Sequence, residues 1–217
     1  MVKRLAIIPA RSGSKRVKNK NIRIFKGKRL IINTLEQVKK SKFFSKIHVS
    51  TDCKKIKKIV EDFDISIDFL RPKKLSKDNV AIKNVIEFIL KKYLNLGIEF
   101  DEIWLFYISN PFLSTKHIKR GYKIYLKDKK EISVMSVSKY NYPTEWALTL
   151  DKDNFLKLNS KKKIKKDIFC EAGMFLIYQK NYLLNKNKLK YKPYIIPLWD
   201  TVDIDTEEDF ILASKLK

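Results

Sequence analysis

The stretch from Ala6 to Asn21, AIIPARSGSKRVKNKN, most constrains how this chain can fold. It begins as a short apolar strand, breaks at Pro9, and passes through a small-residue turn into closely spaced cations: Arg11, Lys15, Arg16, Lys18 and Lys20. Small side chains let backbone N–H groups approach an anion, and fixed cations offset its charge. The stretch therefore predicts a polyphosphate-binding loop after a buried strand. A charged surface turn is the alternative, but it does not account for the buried strand or the small-residue turn.

The rest of the chain shows apolar strand-like runs that alternate with amphipathic helix-like stretches. We expect strands at Val2–Ile8, Lys46–Ser50, Ser66–Leu70, Ile103–Ile108 and Ile132–Val137. We expect helices at Leu30–Lys42, Lys54–Phe63, Val80–Leu94 and Lys116–Leu126. Regular alternation of this kind favours an α/β fold with a mostly parallel, doubly wound central sheet.

The alternation is interrupted between residues 140 and 170. Trp146–Leu150 and Asn154–Leu158 predict a hairpin, which we interpret as a small flap insertion and not as a separate domain. Strands at Gly173–Tyr178 and Tyr194–Leu198 follow, and then a closing helix over Thr206–Leu216. A chain of 217 residues is long enough for one substantial core, so we expect a single domain over 1–217.

The net charge of +24 indicates either a solvated lysine-rich surface or a surface that binds a polyanion such as nucleic acid. The lysines are scattered, which favours the first, and we expect no nucleic-acid partner. Cys53 and Cys170 have neither disulfide nor metal-ligand spacing. The first apolar run is too short for a signal peptide, and no run approaches the roughly twenty apolar residues of a membrane span. We therefore expect a cytoplasmic protein without a membrane partner.

Two carboxylates near the end of the chain suggest a metal site. Asp203 and Asp205 are two residues apart, so in an extended segment they project to the same side, as ligands for Mg²⁺ would. The alternative is that these acids interact with a helix dipole, which suits Glu207–Asp209 but not a pair that precedes the predicted N-cap, Thr206. Phosphate-binding cations together with metal-binding carboxylates are typical of nucleotidyl transfer.

Five stretches carry a specific resemblance. They are Ile8–Arg16 (IPARSGSKR) with Lys20–Ile22, Val49–Asp52 (VSTD), Leu70–Pro72 (LRP), Tyr107–Phe112 (YISNPF) and Val202–Asp209 (VDIDTEED). In this order they resemble the motifs of the acylneuraminate cytidylyltransferase family, the CMP-sialic acid synthetases. The resemblance spans essentially the whole chain.

Within that family, the chain most resembles the pseudaminic acid cytidylyltransferases. Arg16 follows Lys15 where sialic acid enzymes usually carry glycine. Tyr107–Phe112 resembles the subgroup's Y-A-T-A-P-F, Tyr142–Leu148 resembles its F-P-I-Q-R/W-A-L, and Glu171–Phe175 resembles its D-A-G-Q-F.

The resemblance implies a Rossmann-like, three-layer nucleotidyltransferase fold of the glycosyltransferase-A type. It implies that CTP and a nine-carbon α-keto acid sugar give CMP-sugar and pyrophosphate, with Mg²⁺ held by Asp203 and Asp205. The residues it assigns to CTP are Ala10, Arg11, Ser14, Lys15, Lys20, Asn21 and Arg71. Arg11, Lys15 and Lys20 are the catalytic cations among them, whereas Tyr107, Tyr142 and Trp146 are candidates for the sugar site.

Three alternatives stay open from the sequence. The acceptor is N-acetylneuraminic or legionaminic acid in the first, and the chain binds nucleotide without turnover in the second. In the third, from a different class, it is a basic nucleic-acid-binding protein. The family resemblance also implies a homodimer, to which Tyr140–Lys166 would contribute.

Overall fold

A six-stranded sheet forms the centre of the protein. The computed structural model describes residues 2–127, 132–140, 142, 147–150, 152, 156–158, 167–179 and 190–216. Across the sheet the strands are β10 (Tyr191–Ile195), β6 (Ser133–Lys139), β9 (Phe169–Gln179), β5 (Glu102–Phe106), β1 (Arg4–Pro9) and β4 (Lys46–Ser50). β9 is antiparallel to both its neighbours, and the other neighbouring pairs are parallel. The predicted mostly parallel sheet is confirmed.

Helices cover both faces of this sheet. They are α1 (Leu30–Ser41), α2 (Lys54–Glu61), α3 (Ile82–Asn95), α4 (Thr115–Lys127) and α5 (Glu207–Lys215). Short 3₁₀ turns lie at Lys20–Ile22, Lys73–Leu75 and Leu198–Asp200. Among the described residues, no helix is long and apolar enough to cross a membrane.

Alternate residues of the buried strands supply two separate cores, as the period of two along a strand requires. Ala6 and Ile8 of β1 pack with α1, α2, α4 and α5, whereas Leu5 and Ile7 pack with α3 on the opposite face. All five residues of β5 are buried, including Trp104. The helix, sheet and helix layers therefore form the three-layer fold that we expected.

The predicted strand at Ser66–Leu70 is wrong. In the described chain this segment pairs with no strand, although Ile67 is buried in the core. It is held beside β4 mainly by side chains, because the Lys46 ammonium contacts the Ser66 hydroxyl at 3.2 Å and the Asp68 carboxylate at 2.9 Å. An alternation of exposed and buried residues arises here without a backbone ladder.

Two short hairpins accompany the main sheet. β2 (Ile24–Phe25) pairs with β3 (Lys28–Arg29), and β7 (Leu148–Leu150) pairs with β8 (Leu156–Leu158), both antiparallel. The second of these is the predicted hairpin within the flap, so far as its residues are described. Phe169 and Cys170, which we placed at the end of the flap, instead begin β9 and pair with β6.

The closing helix begins as its sequence predicts. Thr206 is the N-cap of α5: its hydroxyl accepts a hydrogen bond from the Asp209 N–H, and the Asp209 carboxylate accepts one from the Thr206 N–H. This reciprocal pair is a capping box, which satisfies two helix-end N–H groups at once. It fixes the path of the chain immediately after Asp205.

Candidate functional site

A cleft opens at the carboxyl ends of β1, β4 and β5. These strands are parallel, so the loops that follow them meet at one edge of the sheet, where open α/β sheets bind their ligands. The cleft has a volume of about 310 Å³. The predicted site residues that line it are Arg11, Ser14, Lys15, Lys20, Asn21, Arg71, Tyr107 and Asp205. The fold thus brings together residues from four separate parts of the chain.

The loop after β1, residues 10–21, is called the cation loop from here on. The Ala10 N–H donates to the Ser50 carbonyl of β4 at 2.9 Å. The Asp52 carboxylate accepts from both the N–H and the hydroxyl of Ser12, each at 2.9 Å. Ala10, predicted to contact cytosine through its backbone, is fully buried and is not in the cleft lining. The first half of the loop is therefore anchored on the end of β4.

Arg11 and Lys15 share one carboxylate, that of Asp78. One Asp78 oxygen pairs with the Arg11 guanidinium, and the other lies 2.7 Å from the Lys15 ammonium. Arg11 also donates to the Ser76 carbonyl at 3.3 Å, and its own carbonyl accepts from the Asn21 amide at 3.0 Å. These contacts hold one pair of cations at the wall of the cleft formed by the segment before α3.

Lys20 and Arg16 share a second carboxylate, that of Asp205. The Lys20 ammonium lies 3.0 Å from one Asp205 oxygen and 2.7 Å from the Ile204 carbonyl, while Arg16 lies 2.6 Å from the other Asp205 oxygen. The Lys20 side chain is 18% exposed, against 68% for Arg16. Lys20 therefore connects the cation loop to the segment before α5 that carries the predicted metal ligands.

Arg71 is a buried cation in the cleft. Its side chain donates through Nε to the Ser50 hydroxyl at 3.0 Å and through a terminal nitrogen to the Ser50 carbonyl at 2.6 Å. Its backbone N–H donates to the Thr51 carbonyl at 2.7 Å. Burial lowers the pKa of Arg71 to about 10, with Asp52 opposing this shift and Arg11 adding to it. The guanidinium stays charged at neutral pH and is held in one orientation, as recognition of a planar group requires.

A carboxylate cluster faces the cations at this edge. Desolvation raises the pKa of Asp203, opposed by a hydrogen bond from the Ser109 side chain and reinforced by the charge of Asp205. Burial and then the charge of Asp203 raise the pKa of Glu171, while a hydrogen bond with Tyr107 opposes the rise. Burial, followed by Glu171, also raises the pKa of Tyr107. Negative charges are thus held close together at this position.

Gly173 allows the Asp203 carboxylate to approach the sheet. Its φ is +57°, and a Cβ placed there would lie 3.1 Å from the carboxylate carbon. This residue belongs to β9, close to the irregularity where the pairing with β6 shifts between Met135 and Val137. Glycine is required because other residues are strained at this φ and the added carbon would crowd Asp203.

The fully buried amide of Asn110 joins three segments near the cleft. Its nitrogen donates to the carbonyls of Ala172 at 3.0 Å and Asp200 at 2.9 Å, and its oxygen accepts from the Phe112 N–H at 3.0 Å. The loop after β5, the start of β9 and the segment before Asp203 are therefore fixed to one another without any ligand.

The oxygen-rich cluster fits Mg²⁺. The charge of Asp205 raises the pKa of Asp203, and the charge of Asp203 raises the pKa of Glu171, beyond the larger effect of burial on each. A hard cation relieves this repulsion. Within the described ranges, no group of three or more His, Cys, Asp or Glu residues converges as a complete protein-ligand set. Mg²⁺ usually keeps several waters and shares ligands with substrate phosphates, so two protein carboxylates suffice for it.

One predicted sugar contact, Tyr142, is not brought into the cleft, and another is not described. Tyr142 is 71% exposed and is not in the lining, and Trp146 lies outside the described residues. Asp203 borders the cleft through Tyr107 and Ser109 but is not in its lining either. The ligand roles assigned to all of these residues stay predictions.

Sequence reasoning missed three polar residues of the site: Asp78, Ser109 and Glu171. Ser109 lies within the Tyr107–Phe112 motif, and Glu171 within Glu171–Phe175, so both stretches were noted without these side chains being singled out. Asp78 follows Leu75 in an exposed polar segment with no periodic signal. Its role follows only from the two cations that it contacts.

The fold is that of an α/β protein with a cation-lined cleft at the carboxyl ends of its parallel strands, where such sheets bind their ligands. A family pattern described as cytidylyltransferase matches residues 5–211. The chain belongs to the cytidylyltransferase family, and it is a nucleotidyltransferase that uses CTP.

Two curated relatives are similar over nearly their full lengths. The chain is 29% identical to the CMP-N,N'-diacetyllegionaminic acid synthase of Legionella pneumophila, over 98% of this chain and 95% of that protein. It is also 29% identical to the pseudaminic acid cytidylyltransferase of Campylobacter jejuni, over 99% of this chain and 96% of that protein. Equal identity to enzymes with two different acceptor names means that overall similarity does not select between them.

A solved structure shares the fold. It is a CMP:2-keto-3-deoxy-manno-octonic acid synthetase in complex with CTP, with a TM-score of 0.72, 14% identity, and coverage of 99% of this chain and 98% of that one. At this identity the likeness shows the fold alone, and it agrees with the nucleotidyltransferase architecture that we predicted.

Proposed function

We propose that this protein transfers the CMP group of CTP to the anomeric 2-hydroxyl of a nine-carbon α-keto acid sugar, pseudaminic acid, and releases pyrophosphate. The observation that carries the proposal is the meeting of four cationic side chains of the cation loop with Asp205 in one cleft. The hydroxyl oxygen bonds to the α-phosphorus, the bond from that phosphorus to the bridging oxygen of the β-phosphate breaks, and the hydroxyl proton passes to water.

The cation loop would stabilise the charge that develops on the leaving group. Arg11, Lys15 and Lys20 would contact the phosphates, and preorganised cations at the edge of a cleft stabilise developing negative charge without reorganisation. Ser14 and Asn21 would add hydrogen bonds to the same groups. The buried guanidinium of Arg71 and the Ala10 backbone would read cytosine.

We assign Mg²⁺ to Asp203 and Asp205. When bound, it would neutralise phosphate charge and favour ionisation of the attacking hydroxyl. Lys20 would position Asp205 through the 3.0 Å contact between them, and Ser109 would orient Asp203. Lys20 and Ser109 would thus fix the positions of the two carboxylates that are proposed to bind the metal.

Pseudaminic acid is the proposed acceptor because of local motifs. Arg16, the stretch Tyr107–Phe112 and the stretch Glu171–Phe175 follow the pattern of that subgroup, and the Campylobacter jejuni relative carries that name. Tyr107 lines the cleft, and Tyr142 and Trp146 are proposed to reach the sugar from the flap. Legionaminic acid is the second candidate, favoured by the Legionella pneumophila relative.

A turnover assay tests the function. Purified protein is incubated with CTP, Mg²⁺ and pseudaminic, legionaminic or N-acetylneuraminic acid, and pyrophosphate release is measured beside formation of the CMP-sugar. We expect turnover with pseudaminic acid and background release without sugar or with UTP. Preference for another acid would change the acceptor only, whereas no turnover of any nine-carbon acid would refute the function.

We further propose a cytoplasmic homodimer in which residues 1–217 act as one domain. The described part of the flap exposes Leu148 and Leu156 by 53% and 66%, and such apolar side chains favour association. Cys53 and Cys170 are free thiols, as is usual in a reducing compartment. Sedimentation equilibrium checks the dimer, which a monomer at assay concentrations would disprove.

A further inference from the structure

Asp78 lies against two cations of the cleft, Arg11 and Lys15, and carries the same charge as the ligand expected to bind them. Both of its carboxylate oxygens are engaged, one by Arg11 and one by Lys15 at 2.7 Å. It lines the cleft, and 48% of its side chain is exposed. An acid is therefore seated between two of the cations that are proposed to bind triphosphate.

The attachment of Asp78 differs from that of two other acids near the cleft, Asp52 and Asp209. The Asp52 carboxylate accepts from the Ser12 N–H, and the Asp209 carboxylate accepts from the N–H groups of Asp205 and Thr206. The described contacts of the Asp78 carboxylate are instead with two flexible cationic side chains. It lies between the 3₁₀ turn at Lys73–Leu75 and the start of α3, outside any helix or strand. Rotation of its side chain therefore breaks no backbone hydrogen bond.

We propose that Asp78 occupies the polyphosphate position in the ligand-free protein and that a polyphosphate binds by exchanging with it on Arg11 and Lys15. As pyrophosphate leaves, the carboxylate pairs with the two cations again. This inference rests on the proposed function, because it takes the triphosphate of CTP as the incoming anion.

Two physical reasons favour exchange over simultaneous binding. A carboxylate that bridges two cations presents two oxygens about as a phosphate does, and it offsets the repulsion between neighbouring cations while the cleft is empty of anion. Once a triphosphate is present, the same carboxylate is a like charge beside it, and like charges in contact are unfavourable. The Asp78 carboxylate thus stabilises the cleft without an anion and disfavours the cleft with triphosphate bound.

The exchange lowers the apparent affinity for every polyphosphate. A ligand that binds only when Asp78 has left sees an affinity reduced by the fraction of protein in that state. Because substrate triphosphate and product pyrophosphate use the same cations, Asp78 weakens both, and it speeds release of the product. Asp78 is thus a positioning residue that acts through Arg11 and Lys15.

Calorimetric titration with sodium tripolyphosphate, in EDTA and at low salt, tests the exchange without metal or turnover. We expect Asp78→Asn to bind about fivefold more tightly than the unaltered protein, a size set by the weakness of exposed ion pairs. Asp78→Glu, which keeps the charge, should bind within about twofold of the unaltered protein. A matched control is Asp64→Asn, which makes the same charge change at a residue 93% exposed and paired with Lys39 at 3.6 Å. It should leave the affinity within about twofold.

The outcomes separate this inference from the proposed function. If Asp78→Asn binds tripolyphosphate no better than Asp64→Asn, or more weakly, Asp78 orders the cations and exchange is refuted. If the unaltered protein turns over CTP and sugar but Asp78→Asn shows no increase in inhibition by pyrophosphate, the inference fails and the function stands. If neither tripolyphosphate nor CTP binds any of the four proteins, both fail. Equal melting temperatures establish that the variants are folded.

Discussion

Two groups of polar side chains, one at the carboxyl end of β4 and one around His48 of β4, differ in how far they are exposed to solvent. In the cleft, Asp78 forms ion pairs with Arg11 and Lys15. The side chains of Arg11, Lys15 and Asp78 are 35%, 81% and 48% exposed, respectively. In the second group, called the polar cluster, the Tyr93 hydroxyl lies between His48 and Asp68. His48 and Tyr93 are both fully or almost fully buried. The cleft pairs are accessible to a ligand, whereas His48 and Tyr93 are closed to solvent.

The hydrogen bonds of the polar cluster determine its protonation. Tyr93 donates its proton to an Asp68 oxygen at 2.7 Å, so it can only accept from His48 Nδ1 at 3.0 Å, which must carry a proton. Burial lowers the pKa of His48 to about 3, opposed by Asp68 and aided by Lys46 and Arg71. His48 is therefore neutral and structural. The comparison predicts that cleft substitutions alter activity and that cluster substitutions alter stability.

The largest effect is expected at the metal ligands. Asp203→Asn and Asp205→Asn should each lower kcat by about a hundredfold or more, as EDTA should, because charge stabilisation by the metal is worth several kcal/mol. Asp203→Asn should melt no lower than the unaltered protein, since it removes a repelled charge, whereas Asp205→Asn deprives Arg16 and Lys20 of a partner. Pyrophosphate release and thermal melting measure both. Full Mg²⁺-dependent activity in either variant would refute the metal assignment.

The next largest effect should separate two cations of the same loop. Lys20→Met is expected to lower kcat/KM by about a hundredfold, because it removes a preorganised charge and the contact with Ile204 and Asp205. Lys15→Met should lower it by only about tenfold, since an exposed charge is more strongly screened. Steady-state kinetics over a range of CTP concentrations checks the ratio. Equal losses would show that exposure does not rank these cations.

The polar cluster should reveal itself as a dependence of stability on pH. Folding keeps His48 neutral, so between about pH 6.5 and pH 3 the unfolded chain binds more protons and stability falls as the pH falls. The free energy of unfolding should drop by up to about 1.4 kcal/mol per pH unit from this group. Urea titrations at pH 7.5 and pH 5.5 measure the slope, which should be shallower in His48→Gln. Parallel slopes in the two proteins would contradict the assignment of this pH dependence to His48. The activity of His48→Gln per folded molecule at pH 7.5 should equal that of the unaltered protein.

The smallest effect is expected at Gly173, whose backbone conformation bears on both the stability of the fold and the position of Asp203. Gly173→Ala should lower the free energy of unfolding by about 1 kcal/mol because a side chain is strained at positive φ. It should also weaken Mg²⁺ activation, because the new methyl crowds Asp203. Gly13→Ala is the control, since its added carbon would meet no described atom within 4 Å. Equal stability of the two variants would break this distinction.

Much of the fold was predictable because local patterns agreed with it. The predicted helix starting at Leu30 and the predicted strand Lys46–Ser50 match α1 and β4, and Trp104 is fully buried as its apolar run indicated. Thr206 caps α5 as expected. The cation loop was predictable too, because charge and small residues follow a buried strand in the sequence itself.

What failed depends on partners distant in sequence. Nothing within residues 66–70 distinguishes a strand from a segment held by Lys46, and nothing within β9 states that it runs antiparallel to its neighbours. Asp78 became a site residue only when folding brought it against two cations more than sixty positions away. Ion pairs across such separations carry no periodicity, so a single sequence does not disclose them.

The buried Asn110 also bears on how the protein ages. Asparagine side chains deamidate when the backbone nitrogen of the next residue attacks the amide carbon and closes a five-membered ring. The residue after Asn110 is Pro111, whose backbone nitrogen has no hydrogen and is already fully substituted. The amide that joins three segments beside the cleft is therefore chemically protected from this reaction, and storage should modify other asparagines first.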